Sequence, residues 1–277
     1  MREGHHYVPQ YYLRGFCEDF RKGRIWVYDK QANTKIATQV KSVGKICNFY
    51  TPDLEKYLSK TEGEANPVVQ KIRNRECLTL TDKKTLSIYI AETFKKVPRS
   101  KNRVGERAPL VARGLCADLH YGLDMAVAED PSRGARAQLF KAGIAEILDR
   151  LAGEEEKIFH AIIPAGATPK TVCSIASLTW RFLTFDEAPV FLTCDNPVFI
   201  PRNGGLKRSG LYFPISSNIA LLATPEGDAR VVYLAVARKA VEETNGWIAG
   251  NTTRWVFHAK DEDWILPFIR EERARPL

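Results

Sequence analysis

The sequence predicts an α+β protein, a single domain over 1–277 that carries a mixed or antiparallel β-sheet and a mainly helical section at 51–163. Three observations predict it. Apolar residues at helical spacing, behind recognisable caps, crowd into the middle of the chain. Short β-branched and aromatic runs bounded by turn residues lie on both sides of that section. No repeat, low-complexity tract or separating linker divides the chain, so a helical insertion in one domain is the economical arrangement.

Composition narrows the class. Hydrophobic residues at 44% and charged residues at 27% are the balance of a globular protein, and 277 residues suffice for one well-buried core. The cysteines at 17, 47, 77, 116, 173 and 194 form no CxxC pair, which excludes a zinc ribbon and argues against a disulfide framework. Residues 1–6 lack the apolar run of an export signal, and no stretch reaches bilayer length. The expectation is a cytoplasmic protein with no membrane segment. A net charge of +8 permits a phosphate-rich partner such as nucleic acid without requiring one.

The first element is a short helix after Pro9, with Leu13 and Phe16 on one side and Gln10 and Arg14 at i,i+4 spacing on another. His5 and His6 precede it. One reading makes a histidine a general acid or base and Arg14 an anion holder; the other makes the segment a docked terminal helix. Arg24 to Tyr28 and Thr34 to Val40 then read as a hairpin about the turn Asp29 to Asn33. Thr51, Pro52, Asp53 and Glu55 start a helix that should run to Glu62 and kink at Gly63 or Pro67. A second helix should start near Thr81-Asp82 and end at Pro98.

Beyond Pro98 lies the densest basic stretch, with Lys95, Lys96, Arg99, Lys101, Arg103 and Arg107 read as a loop. It is either a phosphate-contacting patch or a solvated surface, and it lacks the aromatic residues of a stacking groove. A weak helical pattern from Ala108 to Asp130 and a longer one from Ala135 to Ile163, divided at Gly153, complete the helical section. Glu154 to Glu156 read as a solvated face and His160 as a core histidine.

The β pattern returns with Trp180 to Phe185 and Val190 to Cys194, read as a hairpin that delivers Asp195 to a strand end. Asn196-Pro197 breaks the strand there, because proline cannot donate to a ladder. Asp195 therefore suits either a carboxylate that meets a ligand or an Asx turn that caps its own backbone. Arg202 to Gly210 is a basic loop too irregular for a Walker loop. Strands at Tyr212 to Ile215, Ile219 to Ala223 and Arg230 to Val236 follow. A helix from Ala237 to Ala249, a strand at Trp255 to Phe257 and a short helix from Trp264 to Ile269 close the chain.

His6-Tyr-Val-Pro-Gln-Tyr-Tyr-Leu-Arg-Gly-Phe16, Phe191-Leu-Thr-Cys-Asp-Asn-Pro-Val198, Tyr212-Phe-Pro-Ile-Ser216 and the spacing to Asn245 together resemble a bacterial domain-of-unknown-function family, numbered 4238. The likeness takes in Glu62 after Phe49-Tyr50 and the Pro98-Arg99 pair, and departs from the pattern at Lys96-Val97. The resemblance implies no activity. It does imply that His6, Gln10, Arg14, Asp195 and Asn196, which fall inside two signatures, share one polar site.

Such a site suits metal-dependent phosphodiester hydrolysis, by a nuclease acting on nucleic acid. Asp195 and Glu62 would hold a divalent ion such as Mg²⁺, His6 would be acid or base, and Arg14 would stabilise developing charge. Gln10, Asn196, Lys96, Arg99, Lys101 and Arg103 would hold substrate. The alternative is a non-catalytic module that binds nucleic acid or a protein.

Overall fold

The computed structural model describes residues 4–187, 190–200, 210–225 and 230–271. It is mixed α and β, and it divides into two compact units. One comprises Met1–Val97 with Ile163–Leu277; the other is Pro98–Ile162.

The first unit opens with β1 (Gly4–His6), which pairs antiparallel with β4 (Lys45–Cys47) in the register His5 to Ile46 and His6 to Lys45. Because successive strand residues face opposite ways, the two histidines enter different surroundings. Pro9 then caps α1 (Gln10–Leu13), and a single tight turn (Arg14–Phe16) follows. Tyr12, Leu13 and Phe16 are buried, which docks this element firmly.

The expected hairpin forms as β2 (Arg24–Asp29) and β3 (Thr34–Gln39). Its turn is held by Asp29, whose Oδ1 accepts from the N–H groups of Gln31 at 2.9 Å and Ala32 at 3.0 Å. It joins a sheet of order β3-β2-β10-β6, in which β6 is Thr193–Cys194 and β10 is Trp255–His258. The other large sheet has the order β7-β8-β5-β9. Its strands are β5 (Thr179–Thr184), β7 (Leu211–Ser216), β8 (Ile219–Thr224) and β9 (Val231–Ala235), with β9 parallel to β5 and the other pairings antiparallel.

That arrangement corrects the predicted hairpin of 180–185 with 190–194. Both edges of β5 are taken, by β8 and β9, so no ladder is left for the following segment. Val190 and Phe191 instead give their N–H groups to the Ser217 carbonyl, at 2.8 and 2.9 Å, and the chain passes to β10 in the other sheet. Phe191, Leu192, Cys194, Tyr28, Tyr212 and Val256 meet there in a continuous apolar core. Most of the basic loop predicted at 202–210 lies outside the described residues.

Helix α2 (Pro52–Arg73) starts as predicted, with the Thr51 hydroxyl accepting from the Leu54 N–H at 3.3 Å. It does not break at Gly63 or Pro67. The proline ring crowds the carbonyl four residues earlier, which belongs to the permissive Gly63, while buried Ala65, Val68, Val69 and Ile72 carry the helix onward. Helix α3 (Leu80–Lys95) begins two residues earlier than expected, because Thr79 and Asp82 form a reciprocal capping box. Helix α7 (Pro169–Ala176), unassigned in the sequence reading, has its own signal in Thr168-Pro169. Helices α8 (Arg238–Asn251) and α9 (Ile265–Glu271) agree with the reading to within about two residues at each end.

The second unit contains α4 (Pro98–Glu129), α5 (Gly134–Ala152) and most of α6 (Glu155–Gly166). The basic segment read as a loop is helical. Pro98 occupies the first position, where its missing N–H has no intrahelical role, and good helix formers follow. Gly153 does divide α5 from α6.

Candidate functional site

Asp195 follows β6 and is buried. Its Oδ1 accepts from the Thr253 N–H at 2.9 Å, and its Oδ2 accepts from the N–H groups of Arg254 at 2.7 Å and Trp255 at 3.1 Å. Burial pushes this carboxyl above the ordinary aspartate value, and the backbone donors only partly offset it. The neighbouring Asn196 donates from Nδ2 to the Thr253 hydroxyl at 2.7 Å and the Asn251 carbonyl at 3.2 Å. Asn251 returns a bond to the Asn196 carbonyl at 2.7 Å. The strand break is thus bolted to the turn between α8 and β10. The Asx alternative comes close, but the carboxylate caps a distant backbone segment and not its own.

A different group gathers between α2, α3 and the N-terminal segment. Lys96, at the end of α3, was expected in a surface basic patch; its side chain is only 1% exposed, and it forms an ion pair with Glu62 of α2, which is 21% exposed. The Lys96 ammonium also lies 5.2 Å from the centre of the Tyr89 ring. Burial opposes its charge, yet Glu62, Tyr89 and Glu92 outweigh burial and hold it above the ordinary lysine value. Glu92 is buried beside it and accepts from the hydroxyls of Tyr57 at 2.6 Å and Thr61 at 2.7 Å. Burial pushes Glu92 upward despite those donors.

His6 completes the edge of this cluster. It hydrogen-bonds to the Lys41 backbone and feels the charges of Lys45 and Glu62. Its Nε2 is buried without a hydrogen-bond partner. Burial, the largest influence, lowers the imidazole below its ordinary value and keeps it neutral. In His5 the Nδ1 accepts from the Tyr50 N–H at 2.9 Å, and the ring stacks on Tyr50. The hydroxyls of Tyr11, Tyr89 and Thr93 are buried close to one another. Glu62 acts electrostatically on Tyr11, Tyr50 and Tyr89 as well as on His6, which places its carboxylate at the centre of the group.

The remaining predicted residues lie in other surroundings. Arg14 donates to the carbonyls of Phe20 at 2.8 Å and Arg21 at 3.2 Å, and so fixes a loop. Gln10 is half-buried as the first residue of α1. Arg99, Lys101 and Arg103 lie on α4 in the second unit, where Lys101 pairs with Glu156 at 2.8 Å. Sequence reasoning overlooked Tyr11, Tyr57, Thr61, Tyr89, Glu92 and Thr93. A signal was present in two i,i+4 pairs, Tyr57 with Thr61 and Glu92 with Lys96, which set polar groups on helices whose inner faces are otherwise apolar.

The two carboxylates expected to hold a divalent ion each have other partners. Both Asp195 oxygens already accept backbone hydrogen bonds. Glu62 is held by Lys96, and among the described residues no group of three or more His, Cys, Asp or Glu side chains gathers about a common point. No helix of the described residues is long and apolar enough to cross a membrane.

No curated protein and no solved structure matches the chain. The family model described as "Protein of unknown function (DUF4238)" matches residues 4–262, nearly the whole length, and includes β1, the His6–Glu62–Lys96 group and the Asp195 strut. The chain belongs to that family.

Proposed function

We propose that this protein hydrolyses phosphodiester bonds in nucleic acid, with the reacting groups at the His6–Glu62 edge of the buried cluster. The uncommitted His6 Nε2 carries the reading. A neutral imidazole with a nitrogen that no other group occupies is a candidate proton acceptor. Nε2 takes the proton of an attacking hydroxyl, the oxygen adds to phosphorus, and the departing alkoxide recovers a proton as the ester bond breaks. Glu62 stabilises the imidazolium formed in that step. Lys96 is a positioning residue that fixes Glu62, and Lys45, close enough to act on His6, offers charge to a phosphate. His6 and Glu62 are both half-buried while Lys96 and Glu92 stay beneath, and a substrate reaches the covered Nε2 only by displacing what packs on it.

A non-catalytic nucleic-acid-binding role is the second reading, favoured by the five basic residues of the first half of α4. The deciding measurement is cleavage of single- and double-stranded DNA and RNA, with Mg²⁺ and with chelator, by wild type, His6→Ala, Glu62→Gln and Asp195→Asn at matched folded fraction. Activity that survives chelation and Asp195→Asn but falls roughly 100-fold or more in His6→Ala supports the His6 assignment. Wild-type protein that binds these polymers and cleaves none of them leaves the second reading standing.

A further inference from the structure

The second unit is a helical hairpin with more apolar surface than two helices can cover. On α4, Leu110 is 63% exposed and Tyr121 68%, and Val111, Leu119 and Met125 are exposed with them; on α5, Leu139 is 77% exposed beside exposed Phe140 and Ile147. Leu110, Gly114, Tyr121 and Met125 follow one another at spacings of four, seven and four, which sets them along one stripe of α4. Leu110, Tyr121 and Met125 thus leave a continuous apolar stripe exposed along α4. Gly114 leaves the middle of the stripe open, since a Cβ there would meet nothing within 4 Å.

Charge says what fits on this face. From Pro98 to Arg113, α4 carries Arg99, Lys101, Arg103, Arg107 and Arg113 against Glu106 alone. From Gly114 to Glu129 it carries Asp118, Asp124 and Glu129 and no lysine or arginine. The order opposes the helix's own dipole, which favours acidic residues at the start and basic ones at the end. Two pairs within the unit, Lys101 with Glu156 at 2.8 Å and Lys141 with Asp124 at 2.5 Å, answer part of it. A second α4 laid antiparallel across the first would set each basic half against an acidic half, with the apolar stripe between them. A parallel arrangement would align like with like.

We propose that this protein self-associates through α4, as a two-fold symmetric dimer in which two copies of the helix cross antiparallel near Gly114 and the paired hairpins form a four-helix bundle. The interface is isologous, so each contact occurs twice. This does not depend on the phosphodiesterase reading.

Sedimentation equilibrium of the full chain at micromolar concentration and low salt tests it, with two charge-reversed variants. One variant is Arg103→Glu with Arg107→Glu and Arg113→Glu, and the other is Asp118→Lys with Glu129→Lys. Wild type is expected at twice the chain mass, and each variant alone is expected to associate at least about tenfold more weakly, because both halves of its α4 then carry one sign. An equimolar mixture of the two restores a dimer, since each half again meets its opposite. A monomeric wild type, variants that dimerise as well as wild type, or a mixture that does not recover would overturn the proposal. Should either variant lose helix signal in circular dichroism, Tyr121→Lys replaces the pair: weakened association supports the interface, and an unchanged dimer rejects it.

Discussion

Asp195 and Glu92 are both buried carboxylates raised above their ordinary values by burial, yet they respond differently to neutralisation. Asp195 accepts only from backbone N–H groups. An asparagine there must turn an NH₂ toward at least one N–H, so Asp195→Asn is expected to cost about 2–4 kcal/mol in urea unfolding. Glu92 accepts only from hydroxyls, which rotate to suit an amide. Its folded-state value lies above its unfolded value, so the folded protein holds that proton more tightly. The resulting stability is full below the ordinary glutamate range, near 4.5, and is lost as pH rises through the folded value. Glu92→Gln is therefore expected to flatten the fall in stability from acid toward neutral pH, measured by urea midpoints across that window. An unchanged slope would remove Glu92 from the account. Lys96 has the same sign in a different window: raised in the fold, its contribution is full at neutral pH and is lost only as pH rises into alkali.

At the scale of elements, caps and clamps hold α1, α2 and α3 around the cluster. Thr79→Ala removes the hydroxyl side of the α3 capping box while the backbone N–H of residue 79 still reaches Asp82, and is expected to cost about 1 kcal/mol in thermal or urea unfolding. Arg73, near the end of α2, donates to the carbonyls of Tyr11 at 3.2 Å, Tyr12 at 2.9 Å and Ile215 at 3.2 Å, and so ties α1 to β7. It reaches them across Gly15, where a Cβ would stand 2.2 Å from its Nη2. Gly15→Ala should destabilise the wild-type protein but cost little once Arg73 has been truncated to alanine. A double-mutant cycle should return a coupling of about 1 kcal/mol or more; additive effects would show that the arginine simply moves aside. The reason residue 15 is glycine lies in a guanidinium 58 positions away.

Across the whole molecule, burial is uneven. Strands β5, β7 and β8 are almost wholly buried, whereas α4 and α5 expose most of their residues. Native-state hydrogen exchange is accordingly expected to be fastest in the amides of 98–152 and slowest in β5 and β8. Protection of α4 that rises with protein concentration would agree with self-association. The sequence by itself determined the α+β class, the 24–39 hairpin, the start of α2, the break at Gly153 and the strands β7 to β10, because periodicity, caps and turn residues act over a few positions. It also marked His6, Glu62 and Lys96 as polar residues worth placing. Only the tertiary structure decided that β5 fills both its edges, that Asp195 spends its carboxylate on the backbone of residues 253–255, and that Lys96 leaves the basic run for a buried partner. Each of those outcomes joins groups between about 34 and 60 residues apart. Competition for such partners is settled by packing and desolvation, which no local pattern records.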